Sequence, residues 1–203
     1  MSIIAVSNFK GGVAKTTTAV CVATLLSDDG DVLVIDADQN QSAVIWAAAE
    51  KLPFTVVTEK ASRKVMTGKA WTHIIIDSQA APGTGEVKAL MEGSDLLIVP
   101  TSPDAPALAA TGRVFNELPE GNAIALITMV PPKPQLDGDE AAKALDNAEI
   151  KHFDRKIRYG KAYKRAFETG VTIPGLGSQL RAKALWRDWE NFKTELQPYL
   201  EEN

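Results

Sequence analysis

Cysteine is almost missing from this chain. Cys21 is the only one in 203 residues, which excludes an intrachain disulfide framework and any thiolate cluster for zinc or iron–sulfur. Histidine is nearly as scarce, and the two present, His73 and His152, are too far apart in sequence to argue for a histidine metal site. Such usage suits a reducing compartment. No apolar run approaches the roughly 20 residues needed to cross a bilayer. No basic segment followed by an apolar stretch opens the chain, so the reading is a cytoplasmic protein. What is present is ordinary for a soluble globular chain: 45% hydrophobic and 24% charged residues, with 14 Gly and 11 Pro. The length suits one α/β domain spanning residues 1–203.

The formal net charge of -4 is unevenly placed. Residues 1–149 carry 11 Lys+Arg against 19 Asp+Glu, a balance of -8, and residues 150–203 carry 11 against 7, a balance of +4. Leaving out the acidic tail after Lys193 gives +7 over the 44 residues 150–193. An average that opposes nucleic-acid binding therefore hides an acidic body with a basic end, read as part of the same domain.

Short apolar runs alternate with helical patterns along the body. "SIIAVSNF", "DVLVIDAD", "FTVVT", "HIIIDS", "DLLIVPTS" and "AIALITMV" read as strands. Most are apolar throughout, as parallel strands covered on both faces are. Helices are predicted after the first loop to about Gly30, over "QSAVIWAAAEK", near 85–92, over "ALAATGRVFNEL", over "DEAAKALDNAEI", over "KAYKRAFETG" and over 179–197, with a helical or irregular piece at 59–69 and a short extended piece at "FDRKIR". The pattern predicts a doubly wound, mostly parallel sheet flanked by helices.

The strongest local signal is the run Lys10, Gly11, Gly12, Val13, Ala14, Lys15, Thr16, Thr17 between the first strand and the first helix. Such a loop aims backbone N–H groups and a helix N-terminus at phosphate oxygens. Lys15 adds a point charge and Thr16 offers its hydroxyl to a phosphate-bound Mg²⁺. The common G-x-x-x-x-G-K-[ST] pattern fails at both glycine positions, held here by Phe9 and Ala14. Asp36 and Asp38, two apart at a strand end, share a face. Asp77 ends another strand.

These segments resemble the ParA/MinD-like partition ATPases, whose deviant phosphate loop reads KGGxGKT, and the resemblance runs through most of the chain. It implies a P-loop NTPase fold, ATP and Mg²⁺ as cofactors, and an ATPase reaction. Lys10 matches the signature lysine, which in that family reaches the phosphates of the other subunit in a nucleotide-sandwich dimer, while Lys15 serves its own subunit. The resemblance assigns water positioning to Asp38, so Lys10, Lys15 and Asp38 form the implied catalytic set. It places Thr16, Asp36 and Asp77 around the metal, residues 10–17 around the nucleotide, and Met129 and Pro131 on the adenine side. "DSQAAPG" stands where the family has its second switch, and "VPTSPDAPALAATG", with Pro100 and Pro103, where it has a stretch near the dimer face. Ala14 departs from the family's glycine and Gln39 from its proline.

The basic end resembles the family segment that precedes the last helix. Arg155, Lys156, Arg158, Lys161, Lys164 and Arg165, followed by Arg181, Lys183 and Arg187, are the candidate contacts to DNA phosphates. No recognition helix is evident, so non-specific double-stranded DNA is the expected partner. An ATP-dependent homodimer, a ParB-like or other adaptor carrying a basic segment, and nucleoid association in the cytoplasm complete what the resemblance implies. The function expected is slow hydrolysis that partitions or positions a plasmid, chromosome region or protein cargo. Two alternatives stand beside it: a kinase-like metabolic phosphotransferase, for which no second set of acceptor-binding residues is visible, and a nucleotide-gated scaffold whose hydrolysis is impaired by Ala14 or Gln39. A membrane role is not expected, because "NFKTELQPYLEEN" lacks a basic amphipathic anchor.

Overall fold

A computed structural model describes residues 1–79 and 82–201. Six strands are formed by the apolar runs: β1 (Ser2–Val6), β2 (Val32–Asp36), β3 (Thr55–Thr58), β4 (His73–Asp77), β5 (Leu96–Thr101) and β6 (Ala123–Ile127). They lie in one sheet in the order β3-β2-β4-β1-β5-β6, and every neighbouring pair is parallel. The buried strands β1, β2, β5 and β6 have almost no polar position because helices cover both faces. The edge strand β3 is the exception and is only half-buried.

The helices are α1 (Lys15–Leu26), α2 (Ser42–Ala47), α3 (Glu59–Met66), α4 (Thr84–Glu92), α5 (Ala105–Glu117), α6 (Asp137–Asn147), α7 (Lys161–Thr169), α8 (Ala182–Leu196) and α9 (Pro198–Glu201). Winding reverses at β1, which sits between β4 and β5, and so opens the crevice where doubly wound sheets bind ligands, outside the carboxyl ends of the strands. Helix α1 rises from this crevice and is buried along nearly its whole length.

Its outer side is covered by the C-terminal region. Phe153, Trp189 and Phe192 stack edge to face and join the same core as Ile4, Val34 and Ala19. Trp46 donates its indole N–H to the carbonyl of Val171 at 2.9 Å. Gly170 ends α7 with φ 67. A side chain there would also strike Ala49, so both backbone and space require glycine. The extended piece over "FDRKIR" lies along the β6 edge, bridging Ala125 to His152 and Val130 to Arg158 in parallel sense. It blunts a sheet edge that would otherwise be open.

Several expected boundaries move, and three of them stop or start beside residues with left-handed backbone. The helix expected over 41–51 stops at Ala47, and Glu50 beyond it turns left-handed with φ 54. The strand expected through Val130 ends at Ile127, before Met129 at φ 55. The last helix begins at Ala182 rather than 179, because Leu180 and Arg181 both adopt left-handed backbone, φ 49 and 60. No helix among the described residues is long and apolar enough to cross a membrane.

Candidate functional site

Three strand ends converge at the crevice. Register pairs Val6 with Asp77 and Asp36 with Asp77, so the loop leaving β1 lies beside both carboxylates. Asn8, fully buried, anchors that loop. Its amide donates to the carbonyl of Pro100 at 2.8 Å and to the Thr111 hydroxyl at 3.1 Å, and its carbonyl accepts the Lys10 N–H at 3.1 Å. The Ser78 hydroxyl donates to that of Ser7 at 2.8 Å, and the Thr128 hydroxyl to the carbonyl of Val13 at 3.2 Å.

The loop's inner curve is open. A side chain built on Gly11 or Gly12 would meet nothing within 4 Å, and Gly12 has φ 78. No side chain caps α1, which leaves its first N–H groups available to an anion. Ala14 adopts φ 66, ψ 32, a left-handed conformation that costs a residue with a Cβ about 1–2 kcal/mol. The position that departs from the family glycine is therefore one where the backbone favours glycine.

Lys15 is 8% exposed, and its ammonium donates to the carbonyl of Lys10 at 3.2 Å. Burial lowers its pKa, while Asp77 and Asp38 pull in the opposite direction. Asp77 is completely buried, and neither carboxylate oxygen has a hydrogen-bond partner of good geometry among the described residues. Burial pushes its carboxyl up to about 7, with Thr16 and Lys15 opposing the rise and Asp36 and Asp38 adding to it. A buried carboxylate whose hydrogen-bonding capacity is left unfilled is costly, and Thr16 and Lys15 offset that cost only in part, since the carboxyl still lies above its ordinary range. No cluster of three or more His, Cys, Asp or Glu among the described residues is arranged to hold a metal ion. A small carboxylate set is what Mg²⁺ requires, since it is held by one or two carboxylates together with substrate phosphates. An open phosphate cradle, a buried lysine and a buried Asp77 with spare acceptor capacity beside Thr16 fit a nucleotide phosphate carrying such an ion.

The two carboxylates at the end of β2 differ in their bonding. Asp36 is buried, its oxygens accepting the N–H of Asp38 at 3.1 Å and of Val44 at 3.0 Å. Asp38 is half-buried, accepts the Asn40 N–H at 2.8 Å, and lines a cavity of about 290 Å³ with Asp36, Gln39 and Glu59. A second cavity of about 270 Å³ adjoins the segment expected to switch, where Gln79 and the Gly83 N–H both donate to Glu86, at 2.6 and 2.8 Å. Ala80 and Ala81 of that segment lie outside the described residues. Met129 and Pro131 are half-buried and follow Thr128, which touches the loop at Val13.

The basic end divides in two. Arg155 pairs with Glu195 at 3.4 Å, Lys156 with Asp139 at 2.8 Å, and Lys164 and Arg165 both lie 3.8 Å from Glu168. Arg158 holds Asp188 with two nitrogens, at 2.7 and 2.8 Å, which raises its pKa further. Lys161, Arg181, Lys183 and Arg187 are exposed and enter no ion pair among the described residues. Lys161 and Arg181 share a groove of about 590 Å³ with Tyr159 and Leu180, and Lys183 and Arg187 stand one turn apart on α8. Tyr163, between Lys161 and Lys164, accepts the Trp189 indole N–H at 3.0 Å and packs on the core.

Parallel strands reversing at β1, a glycine loop into a buried helix, and an aspartate ending a neighbouring strand define a P-loop NTPase fold. Residues 1–60 match the family described as an AAA domain. The maintenance of carboxysome distribution protein A of Gloeobacter kilaueensis is 32% identical over 179 residues, covering 84% of this chain and 83% of that protein. The ATP complex of McdA from Cyanothece superposes with a TM-score of 0.74 at 17% identity, over 97% of this chain and 96% of that one. The cell-division protein MinD of Aquifex aeolicus superposes with a TM-score of 0.72 at 17% identity, over 96% and 98%. The chain belongs to the ParA/MinD family of partition-type P-loop ATPases.

Two residues at the loop carry no sequence signal strong enough to single them out. Asn8 reads as the tail of a strand. Asp104 precedes a proline-containing helix start and reads as a cap, which it is: it accepts the Ala107 N–H at 3.0 Å. It also receives the Lys10 ammonium at 2.6 Å, a contact across 94 positions that no local pattern announces.

Proposed function

We propose that this protein is an ATPase that dimerises on MgATP, binds DNA non-specifically through its basic end, and uses slow hydrolysis to position a plasmid, chromosome region or protein cargo. The observation that carries the reading is Asp77, fully buried beside a phosphate-type loop, with Thr16 and Lys15 facing it and no hydrogen bond of good geometry among the described residues. Bound nucleotide supplies the phosphoanhydride bond, and its Mg²⁺ supplies the charge that neutralises the phosphates. Thr16 and Asp77 hold the ion, with Asp36 ordering the backbone behind them. Residues 10–17 surround the phosphates, and Lys15 adds charge from within the subunit. Lys10 adds charge from the other subunit, Asp38 orients the attacking water, and Met129 and Pro131 flank the base.

For DNA, the unpaired Lys161, Arg181, Lys183 and Arg187 are the leading contacts. Arg155, Lys156, Arg158, Lys164 and Arg165 contribute to the field of the surface while directing their own charges at neighbouring acids. Two such surfaces in a dimer double the phosphate contacts. Residues 150–193 act in this reading as part of one domain with the body. An adaptor with a basic segment stimulates turnover, and the protein works at the nucleoid without a membrane anchor.

Ala14 favours a second reading, a nucleotide-gated scaffold with little turnover, because its strained left-handed backbone lies in the phosphate-type loop at the start of α1. One experiment separates the two: dimerisation and DNA binding followed with ATP·Mg²⁺, ADP·Mg²⁺ and no nucleotide, alongside phosphate release. Lys10→Ala is expected to abolish the dimer and Asp38→Ala to trap it. Normal turnover in Asp38→Ala refutes the water-positioning role, and dimerisation without phosphate release selects the scaffold.

A further inference from the structure

Lys10 is already engaged within its own subunit. Its ammonium lies 2.6 Å from Asp104 Oδ1, and its backbone N–H is fixed by Asn8. The Asp104 carboxylate is held by two further donors, the Ser102 hydroxyl at Oδ2 and the Ala107 N–H at Oδ1, so it has a set orientation at the start of α5. The hydrogen bond from Lys10, then that from Ser102, keeps its carboxyl below the ordinary carboxylate range.

We infer that Asp104 is a positioning residue that retains Lys10 in its own subunit, and that exchange of this carboxylate for a phosphate of the other subunit is a step in forming the nucleotide-sandwich dimer. The inference rests on the dimer reading above. The two side chains are 33% and 47% exposed, so the pair belongs to the weak, reversible class of surface ion pairs rather than to a buried lock. A lysine has one ammonium, and a side chain satisfied by Asp104 is not extended toward a second subunit. After release, Asp104 keeps Ala107 and Ser102, so α5 stays capped while Lys10 moves. The tie thus acts as a threshold on association and requires no refolding.

Asp104→Asn tests this, because asparagine caps a helix about as well as aspartate and lacks the charge. Asp104→Ser, a second good cap, guards against a folding defect in the first variant. Two readouts are needed. In nucleotide-free protein, acylation of individual lysines by a small reagent, read by mass spectrometry, is expected to rise several-fold at Lys10 in both variants and to stay unchanged at Lys161 and Lys183. In sedimentation with ATP·Mg²⁺, the dimer dissociation constant is expected to fall about 2- to 30-fold, since two weak pairs are broken for each dimer formed. The difference from wild type is expected to shrink with added salt. Wild type that stays monomeric with ATP·Mg²⁺ overturns the dimer reading and this inference with it. Wild type that dimerises while both variants match it, or dimerise less well, overturns the inference alone. Unchanged acylation at Lys10 overturns the retention itself.

Discussion

Asp36 and Asp77 are register partners at the ends of adjacent parallel strands, and they use their carboxylates in opposite ways. Asp36 satisfies two backbone N–H groups, while Asp77 meets no hydrogen-bond partner of good geometry among the described residues. The first organises the start of the β2–α2 loop. The second keeps acceptor capacity free, and burial raises its carboxyl to about 7 against the pull of Thr16 and Lys15.

Replacing Asp77 with Asn removes its charge at almost constant volume. The nucleotide-free protein is expected to melt higher at pH 8, by about 2–4 °C for each kcal/mol gained, because burial raises the Asp77 carboxyl to about 7 and so disfavours its charged form in the fold. The added stability conferred by ATP·Mg²⁺ is expected to vanish. Thermal unfolding at pH 8 with and without ATP·Mg²⁺ checks both. A variant that melts lower than wild type without nucleotide contradicts the assignment.

Ala14→Gly relieves a left-handed backbone and restores the family residue. Stability is expected to change by less than about 1 kcal/mol, because relief of the native strain is offset by the freer unfolded chain. Phosphate release is expected to rise if strain limits turnover, and single-turnover assays on the two proteins decide it.

The basic end is expected to respond unevenly to substitution. Alanine at Arg181, Lys183 and Arg187 together is expected to weaken DNA binding with little change in Tm, and to reduce the salt slope by about 0.9 for each DNA phosphate no longer neutralised. Arg158→Ala is expected to cost mainly stability, because Asp188 is left without its two-nitrogen partner. Fluorescence anisotropy over a salt series, paired with thermal melts, separates the two classes.

His73 gives the fold a predictable pH dependence. It is buried on β4 with the Ser2 hydroxyl 2.6 Å from Nδ1, and Nε2 has no partner among the described residues. Burial holds its pKa below 6.5, Asp29 opposes that shift, and the N-terminal amine and Lys193 reinforce it. The unfolded chain therefore binds this proton first as pH falls. Stability is lost below about pH 6.5, by at most about 1.4 kcal/mol per pH unit, until the folded histidine also protonates. His73→Gln is expected to flatten that limb in urea titrations between pH 7.5 and 5. An unchanged slope rules out His73 as its source.

Much of the molecule was legible in the linear chain because its causes are local. Apolar runs such as "DVLVID" make buried parallel strands, the glycine pair at 11 and 12 marks a loop, and an aspartate at the end of an apolar run is set at the mouth of a sheet by strand geometry alone. The loop and the strand-end aspartates also carry the resemblance to a known family, and the contrast between an acidic body and a basic end is a count along the chain. Element ends were less legible, since Glu50, Met129, Leu180 and Arg181 take left-handed conformations that their residue types disfavour and tertiary packing imposes.

Only the tertiary structure decided how individual charges are used. Charge count made nine basic residues look equivalent. The fold brings Glu195 to Arg155 and Asp188 to Arg158 across 40 and 30 positions, and leaves Lys161, Arg181, Lys183 and Arg187 exposed and unpaired among the described residues. The same applies at the loop, where Lys10 meets Asp104 across 94 positions. Composition sets the sum of the charges, but an ion pair forms over about 4 Å, and which side chains come that close is a property of how the strands and helices stack.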